Sequence, residues 1–305
     1  MNLRGVVTVL TTPFHADASI DESSLRRQVD FCIAGGVAGL CAPAFGSEYY
    51  KLSDSERRRV AEVVVQHGDH RVPILVNAGS ASLCSTTELS RHAESLGADA
   101  VMVAAPRAVP LGSAELMIFF EEVCRSVKIP VVLQDADFQG GGLPARLFIE
   151  LAERCPNFQF VKLENILPGE RCQEIISQSR GKIQVLYGWG GLRLFDGWAH
   201  GACGIMPGPA LSGIFVQIFK LYDAGHVDEA KAWFYRILPF LVFALEHLEL
   251  FIQMEKRVLL RRGVIVSDRL RDPTLRLDAA YQKQVEDLVA HVLTLITELP
   301  PPPPL

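Results

Sequence analysis

A lysine and a glutamate two residues apart end a short apolar run, Phe158-Gln159-Phe160-Val161-Lys162-Leu163-Glu164-Asn165. The run follows the breaker Cys155-Pro156-Asn157, so it reads as a buried strand carrying an amine at its far end. An ammonium at that depth is costly unless it is paired or gives up its proton. Desolvation favours the neutral amine, and a neutral lysine attacks a ketone to form a Schiff base. The same residues also read as a structural ion pair between Lys162 and Glu164. Residues two apart on a strand share a face. Glu164 is therefore the candidate base for the carbon beside the imine.

The elements that must position this pair repeat at an even pace. Apolar strand-like runs fall at residues 5–10, 38–42, 73–77, 100–104, 130–134, 159–163, 183–187 and 203–206. Helical patterns lie between them, for example at 21–34, 53–67, 86–96 and 114–126. Near-continuous Val/Ile/Leu runs are expected of parallel strands covered on both faces. Eight such units in roughly 210 residues predict a (β/α)8 TIM barrel, a fold of about 250 residues. Ser53-Asp54-Ser55-Glu56 has capping-box spacing, and Asp21 and Ser113 are further candidate caps. Gly36, Gly97 and Gly201 suit tight helix-to-strand turns. The barrel is assigned to residues 1–212 and a C-terminal helical extension to 213–299. Within the extension, helices are expected at 213–221, 227–250, 251–262 and 279–299. Residues 300–305 form a polyproline tail, which cannot enter a helix.

In such a barrel the active site is built at the C-terminal ends of the strands. Those ends supply Thr11, Gly46-Ser47-Glu48, Asn77, Arg107, Gln134-Asp135, Lys162-Leu163-Glu164, Gly188 and Met206. Gly46 and Ser47 have backbone N–H groups and a hydroxyl suited to a carboxylate. Arg107 suits a distal carboxylate or hydroxyls. Glu48, Asp135, Asp137 and Glu164 lack ligand spacing, so no metal and no cofactor is expected.

With 305 residues and 49% hydrophobic content the chain can bury a large core. A net charge of −5 without a dense basic block argues against nucleic acid. The 237–250 stretch is too short and too polar for a bilayer. Seven scattered cysteines without a C-x-x-C pair read as reduced thiols, and the N-terminus shows no secretory leader pattern. A cytoplasmic protein is expected.

Leu10-Thr11-Thr12-Pro13-Phe14, Phe45-Gly46-Ser47-Glu48-Tyr49-Tyr50-Lys51-Leu52-Ser53 and Val161-Lys162-Leu163-Glu164 resemble the dihydrodipicolinate synthase/N-acetylneuraminate lyase family. Gly201-Ala202-Cys203-Gly204-Ile205-Met206 and residues 269–273 fit its later blocks, in order along nearly the whole chain. The resemblance implies a (β/α)8 barrel with a helical extension, Schiff-base chemistry on a small-molecule 2-keto acid, and a homo-oligomer, tetramer or dimer. It places Lys162 on the Schiff-base lysine and Gly46 and Ser47 on the carboxylate loop. Gln134 stands where the family usually has a proton-relaying Tyr, and Pro106-Arg107-Ala108 replaces Pro-Tyr-Tyr. Gln134-Asp135-Ala136 with Lys162-x-Glu164 looks more like the 2-keto-3-deoxy-L-arabonate dehydratase branch.

An amide cannot donate and recover a proton as a phenol does. Glu164 is therefore expected to move the protons, while Gln134 orients a hydroxyl or a water. Tyr49 or Tyr50 could stand in for the missing phenol. The expected reaction is dehydration or retro-aldol cleavage of a 2-keto-3-deoxy sugar acid. The alternative is a scaffold that binds a keto acid without turnover.

Overall fold

The computed structural model describes residues 1–106, 110–137 and 140–300. Arg107, Ala108, Gln139 and the tail prolines 301–304 lie outside the described residues.

Eight parallel strands close into a barrel in chain order. They are β1 (Gly5–Val9), β2 (Gly39–Cys41), β3 (Ile74–Asn77), β4 (Ala100–Ala104), β5 (Val131–Asp135), β6 (Phe158–Leu163), β7 (Gln184–Tyr187) and β8 (Gly204–Ile205). The helices between them are α1 (Glu22–Ala34), α2 (Asp54–Gly68), α3 (Leu83–Ser95), α4 (Ser113–Ser126), α5 (Ala145–Arg154), α6 (Gly169–Gln178) and α7 (Leu194–Ala199). After β8 come α8 (Ser212–Asp223), α9 (Val227–Ala244), α10 (Leu248–Arg261) and α11 (Ala279–Thr297). β1 and β5 are buried at every position, the polar Thr8, Gln134 and Asp135 included, as expected of strands covered on both faces. β8 is shorter than its apolar run. Cys203 N still donates to Val185 O at 2.8 Å and Met206 N to Tyr187 O at 2.7 Å, and Pro207 O accepts from the Val9 amide of β1 at 2.8 Å.

The caps follow the sequence with one exception. Ser53 and Glu56 form the reciprocal capping box of α2, and Asp21 accepts from the Ser24 amide at the start of α1. Ser113 is already inside α4, whose N-cap is Gly112 without a side-chain bond. Gly36, Gly97 and Gly201 take φ of +83°, +88° and +86°, a conformation that a Cβ disfavours.

The chain divides into two compact units, one of Met1–Arg4 with Pro73–Met206 and one of Gly5–Val72 with Pro207–Leu305. The first holds β3 to β8 with α3 to α7. Its registers pair Ala104 with Gln134, Gln134 with Lys162 and Lys162 with Leu186, so these residues lie on one face. In the second, α8 packs on β1 and completes the eighth strand–helix repeat. A boundary at residue 212 thus gives the barrel's last helix to the extension. The predicted 227–250 helix is in fact broken at 245–247, where His247 caps α10 by accepting from the Glu249 amide. Among the described residues no helix is long and apolar enough to cross a membrane.

Glu255 of α10 is buried against Gly208, and its Oε2 accepts from the Ala210 amide at 2.7 Å. Burial pushes this acid up from 4.5 to about 8. Between those values the folded chain keeps a proton that the unfolded chain has lost. Stability therefore falls as pH rises through that window, by up to about 1.4 kcal/mol per unit. Glu255→Gln keeps an acceptor for Ala210 and removes the titration. In urea unfolding at pH 5 and pH 8, the variant is expected to lose less stability between the two than the parent. Equal losses would rule Glu255 out as the source.

Candidate active site

The exits of β5, β6 and β7 bring together the side chains expected to carry the chemistry. Lys162 is 3% exposed, and its Nζ lies 3.0 Å from Glu164 Oε1. β6 ends at Leu163, but the Glu164 amide still donates to Asp135 O at 3.2 Å. The β pairing thus carries one residue further, and Glu164 keeps the face of Lys162. Gln134, one strand away in register with Lys162, donates Nε2–H to Glu164 Oε2 at 2.5 Å. The Trp189 backbone N–H donates to Glu164 Oε1 at 3.2 Å. One carboxylate thus receives an ammonium, a side-chain amide and a main-chain amide.

Chemically this is a nucleophile with a proton acceptor in contact. Lys162 can pass a proton to Glu164 and present a free electron pair to a carbonyl carbon. Gln134 was expected to orient a hydroxyl or a water; its amide instead holds Glu164. Gly188 was expected to touch substrate. Its Cα instead faces Glu164, and a Cβ there would overlap the carboxyl group.

The turn after β5 is fixed from its other side. Asp135 is fully buried and accepts from the Leu143 amide at 3.0 and 3.2 Å and from Arg171 Nη1 at 3.3 Å. Asn165 Nδ2 donates to Asp135 O at 3.2 Å, and the Gly142 amide to Asp137 Oδ2 at 3.0 Å. Strand alternation puts Asp135 opposite Gln134, so these bonds anchor the segment that carries Gln134 without sharing its face.

In the second unit the β1 and β2 exits carry Thr11, Gly46 and Ser47. Thr11 donates through both N and Oγ1 to Gln28 Oε1, at 2.9 and 3.1 Å. Ser47 Oγ donates to Leu10 O at 2.5 Å and accepts from the Ala44 amide at 2.9 Å, while its own amide donates to Ala44 O at 2.9 Å. The hydroxyl expected to meet a carboxylate is thus engaged inside the loop. Gly46 packs where a Cβ would meet Val9 and Phe251.

Next to them lies a charge network that sequence reasoning missed. Glu48 and Lys256 are both buried and pair at 2.5 Å, and Lys51 bridges Glu48 at 3.1 Å and Glu249 at 2.6 Å. The Arg271 amide donates to Glu48 Oε2 at 3.1 Å, and its guanidinium pairs with Glu56, which it holds down near 2. Burial lowers Lys256 to about 8 although Glu48 works against it. Burial alone would raise Glu249, but hydrogen bonds from Lys51, Tyr50 and Thr274 lower it on balance. The available signal was helical spacing: Ile252, Lys256 and Leu259 share one face of α10, which places a lysine on an apolar stripe.

The remaining candidates are placed as follows. Met206 is buried directly after β8. The Tyr50 hydroxyl donates to Glu249, and Tyr49 packs edge-on to Phe45 with the Arg57 guanidinium 5.0 Å from its ring centre. Both phenols are raised, first by burial. Arg107 lies outside the described residues. Glu48, Asp135 and Glu164 each already face cationic donors, and among the described residues no group of three His, Cys, Asp or Glu side chains could hold a metal ion.

The whole chain is similar to known proteins and solved structures. A putative dihydrodipicolinate synthetase from Pseudomonas aeruginosa matches with a TM-score of 0.88 at 26% identity, over 95% of this chain and all of that one (100%). The L-2-keto-3-deoxyarabonate dehydratase of Azospirillum brasilense is 28% identical over 88% of each chain. The putative 2-dehydro-3-deoxy-D-gluconate aldolase YagE of Escherichia coli (strain K12) is 27% identical over 93% of this chain and 95% of its own. Its crystal structure in complex with pyruvate matches with a TM-score of 0.83 at 25% identity, over 96% of this chain and 98% of that one. The Dihydrodipicolinate synthetase family matches residues 2–292, and the chain belongs to this family of Schiff-base-forming lyases.

Proposed function

We propose that the chain is a class I lyase that dehydrates or cleaves a 2-keto-3-deoxy sugar acid through an imine on Lys162. The observation that carries this reading is the contact between Lys162 Nζ and Glu164 Oε1, 3.0 Å, with Glu164 held on its other oxygen by Gln134. Glu164 accepts the ammonium proton and the neutral amine adds to the C2 carbonyl. The carbinolamine hydroxyl leaves as water with the proton returned by Glu164. The iminium withdraws electrons, so a C3 proton becomes acidic and passes to the freed carboxylate. For dehydration, the same proton leaves with the C4 hydroxyl as a second water. For retro-aldol cleavage, the C4 hydroxyl instead gives its proton to Glu164, the C3–C4 bond breaks to an aldehyde and an enamine, and Glu164 returns that proton to C3. Water then releases the keto acid from Lys162.

The names of the relatives, a dehydratase and an aldolase, support both routes, and the Gln134-Asp135-Ala136 run, which resembles the dehydratase branch, favours dehydration. Incubation with 2-keto-3-deoxy pentonates and hexonates, with products read by NMR, tests the proposal. A dehydrated keto acid is the expected product, and pyruvate with an aldehyde would assign cleavage. No turnover alongside intact imine formation would favour a keto-acid binder.

A further inference from the structure

The turn that leaves β7 is built around Glu164. The Gly188 amide donates to Leu163 O at 3.0 Å, which ties the turn to the residue before Glu164. The space a Cβ would take at Gly188 is filled by Glu164 Cγ, Cδ and Oε1. Trp189 follows with φ of +50°, a left-handed conformation unusual for a residue with a side chain. Its N–H donates to Glu164 Oε1, 3.2 Å away. The turn is itself closed by Gly191 N to Gly188 O at 3.1 Å and Leu192 N to Trp189 O at 3.0 Å.

We infer that Gly188 and Trp189 are positioning residues for proton transfer by Glu164. The inference rests on the imine reading above. Oε1 has two donors, and one of them, Lys162, becomes the imine nitrogen during the reaction. Trp189 N–H is a main-chain group, so it stays on Oε1 while Gln134 stays on Oε2. Two fixed donors then hold the carboxylate at one distance from C3, and Gly188 leaves the room in which it lies. A misplacement of about 1 Å is enough to lower a rate by roughly 10²-fold.

The test uses pyruvate, with imine formation read by borohydride trapping and proton transfer by loss of methyl protons in D2O. Gly188→Ala is expected to retain the borohydride adduct and slow methyl exchange by about 10²-fold, since it displaces the base and leaves the nucleophile. Glu164→Ala empties the Gly188 slot of Cγ, Cδ and Oε1 and is expected to slow exchange by itself. Adding Gly188→Ala to Glu164→Ala should then slow exchange little further, a non-additivity that general destabilisation would not give. The double variant also relieves the overlap if Gly188→Ala alone folds poorly. Adducts on parent and Gly188→Ala chains with equal exchange rates, or fully additive losses, would overturn this inference alone. No adduct on the parent chain would overturn the imine reading and this inference with it.

Discussion

Lys162→Met is expected to remove turnover, lowering kcat/KM on the order of 10⁴-fold or more, the scale found when a covalent nucleophile is deleted. Methionine matches the length and apolar stem of lysine, and it leaves Glu164 with two donors, Gln134 and Trp189. The fold should therefore survive the loss of the ammonium. Lys162→Arg sharpens the result. Arginine keeps the charge that a structural pair with Glu164 needs, but a guanidinium does not form a Schiff base. Loss of activity in both variants, with thermal unfolding and circular dichroism close to the parent, separates nucleophile from ion pair. Activity retained in the arginine variant would leave the 3.0 Å contact with a structural role only.

Glu164→Gln has the second largest expected effect. The change is nearly isosteric, so the slot at Gly188 is still filled and the Trp189 amide still finds an acceptor. The new amide keeps its oxygen toward the Trp189 N–H and turns its NH2 toward Gln134, whose own amide restores the bond by flipping to present its oxygen. What disappears is the ability to take and return a proton. A positioned acid–base group contributes about 10²–10⁴-fold, and kcat should fall by that amount with KM changed little. Imine formation should slow as well, because Glu164 is the proton acceptor in contact with Lys162. Normal turnover in steady-state kinetics would assign the proton to another group.

Much of the scaffold was legible in the sequence because parallel strands buried on both faces leave continuous apolar runs. The eight runs recover all eight strands, and the Ser53 and Asp21 caps sit where their spacing placed them. The break between α9 and α10 was hidden, since Leu245 and the apolar residues on either side continue the helical pattern through it. Lys162 was readable as an amine ending a buried strand. Its partners were less so. The Gln134–Glu164 bond spans 30 residues and depends on the β5–β6 register, and the Glu48–Lys256 pair spans 208. Local pattern cannot encode either. Gly188 was read from its place at a strand end as a substrate contact, and only the position of the Glu164 side chain gives its missing Cβ a reason. Ser47 shows the converse: its type suggested an anion contact, but its hydroxyl closes the loop.

Borohydride reduction in the presence of pyruvate, followed by peptide mass spectrometry, addresses the covalent step itself. One adduct is expected, on Lys162, absent without the keto acid and absent in Lys162→Met. An unmodified Lys162 across a panel of 2-keto acids, or an adduct on another lysine, would contradict the imine on which the proposed chemistry depends.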